Sequence, residues 1–199
     1  MGLVVYLLKD KFVVICDHFS LRTAFLGSGI FFGILTELFG ILGNLHLPLA
    51  QRALLNPYPL ADLTLAFFWY GLFMLTWYIL LKRYDYSFLG MFIVAGIYGL
   101  AFEQGGVFFA SMITSIPGFI IGLFVMSVYA FFPMLAYMLT KHRFPERKET
   151  SKFIRYPIAL LGLTLHILIW KIAGFIYYPI LTSLGLFDPA WVTQAKTPS

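Results

Sequence analysis

Two glutamates interrupt otherwise apolar stretches of this chain in nearly the same setting. One is Gly33-Ile34-Leu35-Thr36-Glu37-Leu38-Phe39-Gly40, the other Gly99-Leu100-Ala101-Phe102-Glu103-Gln104-Gly105-Gly106. An ionisable side chain at membrane depth costs about 2.5–3.5 kcal/mol on insertion scales, so it faces protein or trapped water and marks a functional site. Two carboxyl groups brought together share a proton, which suits general acid work, a proton relay or recognition of a polar group. Glu37 and Glu103 are therefore the candidate catalytic pair.

Helical spacing puts Gly33, Glu37, Gly40 and Asn44 on one stripe, and Gly99, Glu103, Gly106 and Ala110 on another. Small residues above and below each acid predict a neighbouring helix backbone in close approach. Counting ~1.5 Å per residue from the nearest basic or acidic boundary places Glu37, Glu103, Gln104 and Lys171 at a common depth. That depth is the outer third of a membrane, beneath the 44–61 connection with Asn44 and His46. His166 falls near the midplane. The candidate binding residues are thus Asn44, His46, Gln104, His166, Lys171 and Trp69. Trp69 belongs to Phe67-Phe68-Trp69-Tyr70, which with Phe108-Phe109 is deep enough to line an aromatic slot for a hydrophobic ligand.

Other readings of these residues stand beside the functional ones. Lys171 can neutralise a glutamate as a structural ion pair or snorkel to the interface. His166 shares its stripe with Trp170, Ala173 and Tyr177 and suits a hydrogen-bonded packing role. No Glu-x-x-His or His-Glu-x-x-His spacing occurs, so no metal is expected, and nothing points to a cofactor. Aspartate-rich prenyltransferase motifs, intramembrane-protease motifs and nucleotide-binding glycine loops are absent.

The elements that must hold these residues follow from composition. The chain has 199 residues, 60% hydrophobic and only 12% charged, with a mean hydropathy of +0.85. Soluble domains carry about 25% charged residues, so this reads as an all-α integral membrane protein of one polytopic domain over 1–199. Apolar runs of about 20 residues predict five transmembrane helices near 22–43, 62–81, 87–110, 118–140 and 156–181. Residues 1–21 read as an interfacial amphipathic helix and 182–199 as an outer tail. Asn56-Pro57-Tyr58-Pro59 forces an extended turn, with Asp62 placed to cap the second span. Pro133 predicts a kink in the fourth.

Lys9, Lys11 and Arg22, then Lys82 and Arg83, then the run from Lys141 to Arg155 all fall on one side if there are five spans. The positive-inside rule makes that side cytoplasmic, with the C-terminus outside. A prokaryotic inner membrane is the expected location. The net charge of +5 is what this topology requires, so no nucleic-acid partner is expected. The 141–155 loop reads as solvated and topogenic, with anionic lipid headgroups as the alternative. Cys16 is the single cysteine, which excludes an intrachain disulfide. The recurring glutamate setting and the basic clusters Lys82-Arg83 and Lys141-His142-Arg143 suggest tandem helical hairpins, 22–83 and 87–143, related by an axis along the membrane normal.

The expected function is binding of, or action on, a lipid-soluble molecule (a lipid, isoprenoid or pigment-like compound) at the paired glutamates. Membrane lipids are the expected partners, alongside a hydrophobic small molecule. The alternatives are a non-catalytic structural subunit of a larger membrane complex, with partner membrane subunits or a homo-oligomer, and a proton-coupled transporter.

Overall fold

The computed structural model describes residues 2–48, 52, 54, 56, 58–103, 106–147 and 150–185. Among these every regular element is helical. Two short helices, α1 (Gly2–Leu7) and α2 (Lys9–Asp17), precede α3 (Leu21–Asn44) and α4 (Pro59–Arg83). Then come α5 (Phe88–Tyr98), a π-helical turn over Gly99–Glu103, α6 (Val107–Thr114), α7 (Ile116–Thr140) and α8 (Lys152–Ser183). Four helices among the described residues, α3, α4, α7 and α8, are long and apolar enough to cross a membrane.

Serine opens the helices. Ser20, Ser87, Ser115 and Ser151 each accept an amide proton of the first turn, from Thr23, Gly90, Gly118 and Phe153 respectively. Each thereby satisfies a backbone donor that lipid cannot. The far end of α3 is finished by Arg52, whose Nε donates to the Leu47 carbonyl at 3.1 Å and Nη2 to that of Leu45 at 3.2 Å. A cation there also suits the negative end of the helix dipole. Helix α4 starts on Pro59, which needs no amide partner at that position.

Helix α3 packs on α4 and α7, α5 on α7 and α8, α6 on α7, and α8 on α4. The core between them is aromatic. Phe73 packs with Trp69, Tyr98, Phe132 and the ring of His166. Trp77 and Tyr137 are wholly buried on the same helices, nearer the basic end.

Several expectations change. The N-terminal segment is not one helix: it breaks at Leu8, and α2 packs against α3 and α7. Asp17 ties α2 down through His142 Nε2 at 3.0 Å and Arg143 at 3.6 Å, while Arg143 also donates to the carbonyls of Cys16 and Phe19. The basic run is likewise more than a solvated loop. Arg147 donates to the Tyr84 carbonyl and Arg155 to that of Asp85, and the Tyr86 hydroxyl donates to the Arg155 carbonyl. Guanidinium groups close the carbonyl-rich ends of the bundle because each presents several donors in a fixed fork. Burial pushes the Tyr86 hydroxyl above its ordinary pKa, so it stays a donor.

Gly33 and Gly99, one on each glutamate stripe, admit side chains rather than a neighbouring backbone. The Tyr70 ring fills the space beside Gly33 and the Tyr129 ring that beside Gly99; Met74 does the same at Gly29 and Met126 at Gly96. Helix α7 runs on through the buried Pro133. The proposed outer tail beyond Gly185 lies outside the described residues.

Candidate functional site

Glu37 lies on the face of α3 that meets α4, one turn beyond Gly33. With the Tyr70 ring seated on Gly33, its hydroxyl arrives beside the acid and donates to Glu37 Oε2 at 2.9 Å. A Cβ at position 33 would lie 2.6 Å from two carbons of that ring, so glycine is what lets the tyrosine come in. Asp62, two turns before Tyr70 on the same face of α4, brings a second carboxyl beside Glu37.

Asp62 is wholly buried, and its Oδ1 accepts the Asn56 amide at 2.8 Å. Asn56, 1% exposed, turns its own Oδ1 to the Tyr58 amide at 2.9 Å. Asn56 thus ties Asp62 to Tyr58 at the start of α4. Tyr58, not Asp62, is the cap residue of α4; Asp62 sits inside the first turn and reaches back to the loop. Glu37 itself is only half-buried. The site is a carboxyl pair with one supporting hydroxyl, roofed on the Asp62 side and reachable on the Glu37 side.

The other sequence candidates are spread through the molecule. Asn44 is half-buried, with Nδ2 donating to the Gly40 carbonyl at 2.8 Å on its own helix. His46 and Lys171 are exposed. His166 is buried in the aromatic core with Nδ1 2.9 Å from the Tyr98 hydroxyl, and Trp69 packs edge-on against its ring at 5.0 Å. Trp69 therefore serves the core. Its neighbours Phe67 and Phe68 are exposed and Tyr70 serves Glu37, so the aromatic quartet divides among three roles. Gln104 lies outside the described residues. Glu103 closes the π-helical turn, but its side chain lies outside them too.

Asp62 and Tyr70 are the residues that sequence reasoning placed elsewhere. A signal for both existed: Asp62, Ala66 and Tyr70 recur at four-residue spacing, which places them on one helix face. Among the described residues no three His, Cys, Asp or Glu side chains form a metal-ligating group. Cys16 is buried at the basic end, where burial and then Asp17 push its thiol above the ordinary pKa and disfavour the reactive thiolate. Comparison with family models, curated proteins and solved structures finds no match to this chain.

Proposed function

We propose that this chain is a small membrane protein that holds a lipid-soluble molecule by its polar end at Glu37, Asp62 and Tyr70. The observation that carries this reading is the Tyr70–Glu37 hydrogen bond beside Asp62, between helices long and apolar enough to cross a membrane. Two carboxyl groups set side by side can share a proton. The pair can accept from a hydroxyl or ammonium group of a ligand, or pass its proton on. Glu37 is the group a ligand meets; Asp62 and Tyr70 position it. Glu103 is proposed as the corresponding acid of the second hairpin.

In this reading the chain crosses the membrane five times, with α5, the π turn and α6 together making the third crossing. The N-terminus and the basic clusters are cytoplasmic, so the acidic site lies in the outer third of a prokaryotic inner membrane. The tandem-hairpin reading gains support from packing. Tyr70 and Tyr129, which fill the spaces beside Gly33 and Gly99, each lie twelve residues before the lysine of a basic cluster, Lys82 and Lys141.

The test is purification in mild detergent followed by mass spectrometry of retained lipids, pigments and partner chains. The native protein is expected to retain a lipid-soluble molecule bearing a hydroxyl or amine, and Glu37→Gln to lose it at unchanged membrane abundance. Equal retention by Glu37→Gln, or co-purification of partner chains with no such molecule, overturns the reading.

Proton-coupled transport is the second reading, favoured by the π turn over Gly99–Glu103 and the left-handed Gly106. Non-helical backbone at membrane depth is tolerated only in protein or beside water, and transporters use it at their binding sites.

A further inference from the structure

Asn56 carries a polar atom that the fold leaves unspent. The residue is fixed at two points: its backbone amide donates to Asp62 Oδ1 at 2.8 Å, and its Oδ1 accepts the Tyr58 amide at 2.9 Å. Because an N–H is met only by an acceptor, the Tyr58 bond decides which end of the side-chain amide is oxygen and which is Nδ2. Asn56 is 1% exposed, and among the described residues Nδ2 meets no acceptor. A buried donor left without a partner is costly, so an amide placed in this way is one that a further group completes.

The neighbours of Nδ2 narrow the chemistry of that group. Glu37 and Asp62 offer carboxyl oxygens, which accept, while Nδ2, one side-chain length from Asp62, only donates. A group that serves both must donate and accept. An ammonium has three donors and no acceptor, so it leaves the Asn56 amide unpaired. A ketone or ether oxygen accepts only and brings no donor to the carboxyl oxygens. A hydroxyl does both through one oxygen. With Glu37 half-buried on a helix long enough to cross a membrane, the apolar part of such a molecule can stay in the lipid.

We propose that the molecule held at Glu37 is a lipid-soluble alcohol, whose hydroxyl donates to the carboxyl pair and accepts from Asn56 Nδ2. Resting on the reading of Glu37 as the acid a ligand meets, this narrows the ligand from a hydroxyl or amine to a hydroxyl. Asn56 is then the residue that sets specificity. Two carboxyl groups alone favour a cation; the buried amide turns the preference toward a neutral group that can accept.

Asn56→Asp tests this most directly. Aspartate keeps an oxygen for the Tyr58 amide and puts a second oxygen, an acceptor, where Nδ2 stood. The full chain, delipidated in mild detergent, is titrated with hexadecanol, hexadecylamine or hexadecyl methyl ether and read by native mass spectrometry. The native protein is expected to bind hexadecanol about tenfold more tightly than either analogue, the scale of one hydrogen bond. In Asn56→Asp the order of alcohol and amine should reverse. Hexadecylamine binding as tightly as hexadecanol to the native protein overturns the proposal. So does an alcohol preference undiminished in Asn56→Asp, which would mean that water meets the amide. If that variant unfolds at a lower temperature, the order of the three affinities in the native protein decides. Glu37→Gln separates the proposal from the reading beneath it. Loss of all three molecules supports Glu37 as the meeting point, whereas native-like binding of hexadecanol sinks that reading whatever the order of affinities. Binding of none of the three to the native protein overturns both.

Discussion

The segments around Glu37 and Glu103 begin alike and end differently. In both, a glycine four residues before the acid receives a tyrosine ring from a following helix, Tyr70 on Gly33 and Tyr129 on Gly99. Beyond that point α3 continues unbroken through Glu37 and Gly40 to Asn44. The second segment widens into a π turn over Gly99–Glu103 and passes through Gly106 at φ +77 before α6 restarts. A lone glycine such as Gly40, between Phe39 and Ile41, is carried by the helix around it. Gly106 follows another glycine and adopts a left-handed conformation that other residues resist. A repeated packing device therefore does not enforce a repeated backbone. One acid rides on an unbroken helix, and the other ends a π-helical turn.

The comparison breaks most visibly at the tyrosine seats. Gly33→Leu and Gly99→Leu should each destabilise by about 3 kcal/mol, because a branched side chain takes the place of a packed ring. Denaturant unfolding in detergent measures this, and a tolerated leucine at either position would refute the shared device. Tyr70→Phe should have a smaller effect, about 2 kcal/mol, by leaving Glu37 without its hydroxyl donor. The same unfolding measurement checks it, and no loss would mean that the hydrogen bond does nothing for the site. The smallest effects separate the two backbones by sign. Gly40→Ala should raise stability by about 1 kcal/mol, since it sits in an intact helix with only Leu54 at 4.0 Å. Gly106→Ala should lower it by about the same amount, because alanine resists a positive φ. Shifts of the same sign would erase the distinction between the two segments.

Much of the framework was legible without coordinates. The apolar run near 22–43 reads as a membrane-length helix, and α3 spans Leu21–Asn44. Pro59 before an apolar run, and Lys82-Arg83 after it, bracket α4 where the sequence puts the second span. The acid on the small-residue stripe of α3 could likewise be picked out, because an ionisable residue among apolar ones needs no partner to be conspicuous. Its partner could not be seen this way. Asp62 reads as a cap by local rules, and Tyr70 as one aromatic among 12 tyrosines and 22 phenylalanines. Only the register of α3 against α4 brings both to Glu37.

What the sequence determined by itself is what depends on neighbours along the chain: helical periodicity, apolar length and the clustering of basic charge. Those rest on backbone geometry and transfer free energy, which act residue by residue. The tertiary structure decided which side chain meets which. It turned Trp69 into the core and Tyr70 to the acid, and spent Arg143, Arg147 and Arg155 on backbone carbonyls. Contacts between helices depend on rotation and sliding of whole elements. A shift of one residue turns a helix face by about 100°, and no local pattern in the chain encodes that angle.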